Sequence, residues 1–146
     1  MGAQSGEPER VPALRQVVLD TTDARELGEF YRQLLRLVYR PGDEPPRPGE
    51  DDERGRDWLV LTTPDGDPRI AFQQVAEFKR PTWPDPAVPQ QLHLDLTVAS
   101  VEELDAQHER VLRLGGSLLD DRSDDPEEPL RVYADPAGHP FCIFVA

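Results

Sequence analysis

A histidine, an aspartate and a cysteine carry most of the chemistry this sequence could perform. His93 and Asp95 stand two residues apart in the alternating run QLHLDLTV, residues 91–98. On an extended strand they share one face with Thr97, opposite Leu92, Leu94 and Leu96. An imidazole beside a carboxylate becomes a proton acceptor near neutral pH. The plainer alternative is an imidazole that only hydrogen-bonds a ligand or its own cleft. Cys142, the only cysteine, lies in FCIFV, residues 141–145. With no basic neighbour and no helix start beside it, it reads first as a small apolar filler. Trp58 and Trp83 could form the aromatic walls that small-molecule sites use. His108 falls on a helical apolar stripe and is expected to pack there. His139, in the turn DPAGH, is expected to be exposed. Signatures for phosphate loops, nucleophile elbows and HExxH zinc helices are absent.

The elements that must position these groups follow from periodicity. Leu14 to Thr21 reads as a strand. Asp23 with Glu26 forms a capping box that opens a helix, whose apolar face is Leu27, Phe30, Tyr31, Leu34 and Leu35. Val38 to Arg40, Trp58 to Thr62 and Arg69 to Val75 complete a first set of strands, the last two joined by the turn TPDGDP. Residues 41–56 have four prolines, an excess of acid and no apolar side chain. They are expected to form a mobile surface insertion, with a functional lid as the alternative. KRPTWPDPAVP, residues 79–89, reads as an extended connector. Beyond it, Gln91 to Val98 is a strand. Ser100 with Glu103 caps a second helix with the stripe Leu104, His108, Val111 and Leu112, closed by Gly115-Gly116. Strands at 117–119, 130–134 and 141–145 finish the chain. Residues 1–12 carry no pattern and are expected to be a disordered tail.

The bulk composition narrows the function. The 146 residues carry a formal charge of −13, which argues against nucleic acid and against anionic membrane surfaces. No run approaches the length of a spanning helix, and MGAQSGEPERVP lacks the apolar centre of a signal peptide. One cysteine permits no internal disulfide. A cytoplasmic location is the expectation.

Both halves therefore read strand, capped helix, strand, strand, strand. A shift of 77 positions sets Gln16 against His93, Leu19 against Leu96, Asp23 against Ser100 and Glu26-Leu27 against Glu103-Leu104. Leu35-Arg36-Leu37 then meets Leu112-Arg113-Leu114, and PDGDP parallels PAGHP. The segments VVLDTTDARELGEFYRQLLRL, QLHLDLTVASVEELDAQHERVLRLGG and YADPAGHPFCIF resemble the vicinal oxygen chelate superfamily, closest to its glyoxalase-like domain members. The resemblance spans about residues 14–146. It implies an α+β fold with two βαβββ modules, here 13–78 and 90–146, curled around a cleft within one domain, 13–146.

Metal-dependent members of that superfamily place ligands on the first, fourth, fifth and eighth strands. By resemblance Gln16 takes the first position, His93 the third and Cys142 the last. The fourth-strand position is left among Ile70, Gln73 and Gln74. None is a carboxylate, which is a poor donor set for the usual divalent ion. No cofactor is therefore expected; a Zn²⁺ ion on His93 and Cys142 is the alternative. The missing glutamate also removes the usual general base, so glyoxalase I chemistry is not expected. The function expected is binding or sequestration of a small, partly apolar molecule between the modules. Gln16, His93, Asp95, Gln73 and Cys142 would give polar contacts, and Trp58, Phe72, Trp83 and Phe144 apolar ones. A lyase or isomerase with His93 as base is the first alternative, an accessory module with a vestigial site the second. Homodimerisation fits all three.

Overall fold

A computed structural model describes residues 6–146. The tail expected over residues 1–12 lies partly outside the described residues. The order is β1 (Val17–Thr21), α1 (Ala24–Leu35), β2 (Val38–Tyr39), β3 (Trp58–Thr62), β4 (Pro68–Gln74), β5 (Leu94–Val98), α2 (Val101–Leu114), β6 (Ser117–Arg122), β7 (Leu130–Ala134) and β8 (Pro140–Val145). The strands form two four-stranded sheets, β1-β4-β3-β2 and β5-β8-β7-β6. In each, the first strand runs parallel to the fourth and the rest are antiparallel. The two βαβββ modules read from the repeat are present in full.

Both helices start where capping chemistry places them. Asp23 accepts from the Glu26 amide at 3.0 Å and Ser100 from the Glu103 amide at 3.2 Å. The reciprocal halves differ from a simple capping box. Thr21 Oγ1, not Glu26, accepts from the Asp23 amide, and Glu103 accepts from the Ala99 amide. Gly115, at φ 112°, ends α2 in the left-handed conformation that suits glycine.

The modules join through one core. Leu27, Phe30, Tyr31 and Leu34 of α1 meet Leu59 and Phe72 of the first sheet and Tyr133, Phe141 and Ile143 of the second. Tyr31 stacks on Phe72 at 5.9 Å, and Phe30 meets Phe141 edge-on at 5.9 Å. On α2 only Leu104 and Val111 of the expected stripe are buried, while Leu112 is exposed. The helix-side face of each sheet thus supplies the core, and Val18, Asp20, Gln73, Asp95 and Thr97 stand exposed on the opposite faces.

Two polar segments are more ordered than their composition implies. In residues 41–56, Asp43 is 1% exposed and accepts the Val60 amide of β3 at 2.9 Å. Arg25 of α1 grips Asp52 with two bonds of 2.8 Å and donates to the Asp43 carbonyl at 2.7 Å. The insertion is clamped to the first module and is not the mobile loop expected. The connector is also not extended. Thr82 and Val88 bond each other through the Thr82 amide and hydroxyl, and Asp85 accepts from the Ala87 amide.

The Arg25 clamp has a pH signature. The guanidinium, aided by the Gly55 amide, holds the Asp52 carboxyl below the usual carboxylate range. Its contribution is therefore present above the unfolded carboxylate pKa of about 3.9 and disappears as pH falls through the lower folded value. Arg25→Gln should lower stability at pH 7 by about 1–2 kcal/mol, the scale of charged hydrogen bonds in a half-buried site. The difference from wild type should shrink towards pH 2, as read by urea unfolding at both pH values.

Candidate functional site

The open face of the first sheet is floored by Val18 and Asp20 of β1 and Gln73 of β4. Over it the folded connector brings Pro81, Val88 and Pro89, with Phe78, Lys79, Gln91 and Leu92 at the margins. The second module closes one side with His139. The result is a cavity of about 520 Å³ at the seam between modules, within the size range of small-ligand sites. Its walls are mainly apolar, with Asp20 and Gln73 on the floor and Lys79, Gln91 and His139 at the sides as the polar groups.

His139, expected in an exposed turn, is a built part of this wall. Its Nε2 lies 2.7 Å from the Asp20 carbonyl oxygen, and its ring lies 4.8 Å from Phe78. A carbonyl only accepts, so that ring nitrogen carries the proton. The turn that presents it is fixed by Asp135, which is 1% exposed. One Asp135 oxygen accepts the amides of Ala137, Gly138 and His139 at 2.9–3.0 Å; the other accepts the Tyr31 hydroxyl at 2.7 Å. Gly138 sits at φ 100° with the Arg80 side chain lying across it, so a Cβ there would meet Arg80. Arg80 in turn donates to the Pro136 carbonyl at 3.1 Å, tying connector to turn.

A second cluster lies on the open face of the other sheet. His93 Nε2 is 3.3 Å from Asp95 Oδ1, and ligand atoms of His93, Asp95 and Cys142 all lie within 4.8 Å of one another. Asp95 pairs with Cys142 across β5 and β8. Partial burial, together with the charge of Asp95 and its hydrogen bond, pushes the Cys142 thiol up from its usual range, so it is a thiol at neutral pH. A small cavity of about 80 Å³ beside the cluster is lined by Trp83, Gln90, His93, Val132, Pro140 and Cys142.

The expected site residues thus divide. His93, Asp95, Cys142 and Trp83 come together on the second module. Gln73 lines the larger cavity, with Trp58 its neighbour across β3 and β4. Phe144 is half-buried on the second open face, between Thr97 and Leu130. Gln16 stands just before β1, its side-chain oxygen buried without a hydrogen-bond partner. Among the described residues it shares neither a hydrogen bond nor one of these cavities with His93. Phe72 is a correction: it is fully buried against Tyr31 on the helix side and contacts no ligand space. Leu92 is another. β5 begins only at Leu94, so Leu92 leaves the alternation and lines the large cavity instead of packing on a helix.

The fourth-strand position is settled by register. Val18 pairs with Ala71 as Asp95 pairs with Cys142. Leu61 opposes Ile70 and Thr62 opposes Pro68, leaving Arg69 as an extra, bulged residue. A bulge inverts side-chain parity, so counting from the turn lands on the wrong residue. The equivalent of Cys142 is Ala71, and none of Ile70, Gln73 or Gln74 takes the place. Ile70 is in the core, and Gln74 caps α1 by accepting the Ala24 amide at 2.8 Å.

The family model of a glyoxalase-like domain matches residues 16–144. The chain belongs to that family. No curated protein matches it. Among solved structures, a glyoxalase/bleomycin resistance/dioxygenase family enzyme from Burkholderia phytofirmans is 17% identical, with a TM-score of 0.63 over 90% of this chain and 96% of that one. The fosfomycin resistance protein FosX from Listeria monocytogenes, solved with Mn(II) and sulfate, is 16% identical, with a TM-score of 0.61 over 94% of each chain. A hypothetical protein, SA1046 from S. aureus, is 15% identical with a TM-score of 0.62, over 94% of this chain and all of that one. At these identities the structures share the fold. At the four strand positions where the sequence resemblance puts metal ligands, this chain has Gln16, His93, Cys142 and, by the register, Ala71. Without a carboxylate among them, these residues do not fit a hard divalent ion.

Proposed function

We propose that this glyoxalase-like protein binds a small, partly apolar molecule in the cavity at the module seam, as a binding or sequestration protein. The observation that carries this reading is the connector. It folds back on itself and covers the open face of the first sheet, leaving a mainly apolar space of ligand size there. Val18, Val88 and Leu92 would contact the apolar body; Gln73, Gln91, Lys79 and His139 stand where polar substituents would reach. None of the ligand roles proposed in this cavity calls for a metal.

A thermal-shift panel of aromatic acids, quinones, aldehydes and antibiotics tests it. Fosfomycin, named by the FosX neighbour, belongs in the panel as a small polar comparison. At least one partly apolar compound should raise the unfolding temperature of wild type, and Val18→Arg should lose that response. A panel without any hit would instead favour an accessory module with a vestigial site.

The paired His93 and Asp95 favour a second reading, a lyase or isomerase with His93 as general base. Turnover of a bound compound, abolished by His93→Ala, would establish it. We also propose a homodimer. The open face of the second sheet points away from the chain's own core, and a second copy would cover it. Sedimentation should give a dimer of the 16.5 kDa chain; a monomer at tens of micromolar would refute this.

A further inference from the structure

We propose that His139 is the hydrogen-bond acceptor of the seam cavity, and that the cavity selects a neutral hydroxylated molecule: a phenol or alcohol on an apolar body. The inference rests on the binding reading of that cavity and deepens it. Four observations carry it.

The first is the tautomer. His139 Nε2 lies 2.7 Å from the Asp20 carbonyl oxygen and holds the ring proton. Nδ1 of the neutral ring is then a bare acceptor, since the bond made by one ring nitrogen sets what the other can offer. Among the described residues Nδ1 makes no hydrogen bond, and it is not one of the polar atoms sealed from solvent. The space that this ring lines is the seam cavity. The second is rigidity, because an acceptor held in place beforehand loses less freedom when a ligand arrives. The Asp20 carbonyl holds the ring from one side and Phe78 packs 4.8 Å from it. Asp135 fixes the turn through three amides, and Arg80 ties that turn to the connector.

The third observation comes from the repeat. The first module closes the parallel turn with Thr63 where the second has Asp135, and Asp67 where it has His139. The backbone bonds match. The Thr63 amide meets the Asp67 carbonyl at 2.8 Å, as Asp135 meets His139 at 3.0 Å. The Gly66 amide meets the Thr63 carbonyl at 2.9 Å, as Gly138 meets Asp135 at 2.8 Å. Asp67 is exposed and does not line the seam cavity. The turn therefore needs no imidazole, and the copy beside the cavity is the one that carries it.

The fourth is the company His139 keeps. The Asp20 carboxylate lines the same cavity, on the residue whose carbonyl holds the ring. It is a second acceptor, so an incoming group that can only accept finds no partner at this end, whereas an O–H does. Lys79 lines the cavity with the opposite charge. Asp20 therefore disfavours an anion and Lys79 a cation, and a neutral donor escapes both penalties. His93 lines the smaller cavity on the second sheet instead and does not reach this space.

The test is a matched pair of probes, para-propylphenol and its methyl ether, of which only the phenol has a donor. Each is titrated into the full chain and followed by NMR of the methyl groups and of the histidine ring nitrogens. The ring spectrum should show His139 protonated at Nε2. Both compounds should shift the Val18 and Val88 methyls, and only the phenol should move His139 Nδ1. The phenol should bind about tenfold more tightly, the scale of one net hydrogen bond. His139→Leu should bring the two affinities within about twofold of each other. The first module closes its turn without a histidine, so this variant should keep the fold; the wild-type ring spectrum decides the matter should it unfold. Equal wild-type affinities, with both compounds at those methyls, would overturn the acceptor and leave the cavity reading standing. Protonation at Nδ1 would do the same. Silence at those methyls with both probes would overturn the inference, and silence across the whole thermal-shift panel would take the cavity reading with it.

Discussion

Asp135→Ala should destabilise the protein by about 2–4 kcal/mol, although Asp135 belongs to no helix or strand. Its carboxyl accepts three backbone amides and the hydroxyl of Tyr31. Removing it leaves the Ala137 and His139 amides and the buried Tyr31 hydroxyl without an acceptor, while the Gly138 amide keeps the Asp135 carbonyl at 2.8 Å. Each buried, unpaired donor costs about 1–3 kcal/mol, and the half-buried amides recover part of theirs from water. Tyr31 sits at the centre of the shared core, so the loss reaches both modules. Asp135→Asn keeps an oxygen for the turn, and the Tyr31 hydroxyl can rotate to accept from the new amide; it should cost about 1–2 kcal/mol. Urea unfolding separates the two. The turn also carries His139, so Asp135→Ala should loosen the bond from its ring to the Asp20 carbonyl. Proton exchange at that imidazole should then become fast. A change below about 1 kcal/mol in Asp135→Ala would contradict this role.

The second large effect concerns the cavity. Val18 lies on its floor and is 38% exposed. Arginine there can direct its charge outward, so the fold should tolerate it. A ligand would lose apolar contact worth about 1.5–3 kcal/mol and meet a bulky cation in its place. Together these should weaken binding by about 2–4 kcal/mol, roughly 30- to 1000-fold. Val38 offers a matched control: it is 42% exposed, lies on β2 and does not line the cavity. Val38→Arg should leave the affinity of a hit unchanged. Equal losses in the two variants would point to binding elsewhere.

Most of the fold was legible because its signals are local. Short runs bounded by turn residues marked Trp58–Thr62 and Leu130–Ala134 to the residue, and the caps at Asp23 and Ser100 fixed both helix starts. The repeat at 77 positions supplied the modules. The site was legible only in part because long-range structure decides it. His93, Asp95 and Cys142 could be grouped from strand parity, since β5 and β8 are regular where they pair. The same counting failed on β4, where the bulge at Arg69 turned Ala71 to the open face. It failed again at Leu92, which repeats like Leu94 and Leu96 but lies before the strand. Phe72 looked like a ligand contact because an apolar side chain does not reveal which side of its sheet it covers. Nor did any local pattern reveal that the proline-rich connector folds over the first sheet, or that the DPAGH turn reaches across to Asp20. Both depend on partners more than fifty residues away, as the Arg80 and His139 bonds show.

The central claim is that the seam cavity is the ligand site. Methyl-labelled protein followed by two-dimensional NMR during titration with the strongest hit of the panel tests it most directly. The prediction is saturable shifts at the methyl groups of Val18, Val88 and Leu92, with Val38 and Leu112 unmoved. Shifts confined to Val132 or other methyls of the second sheet, with Val18, Val88 and Leu92 silent, would contradict it.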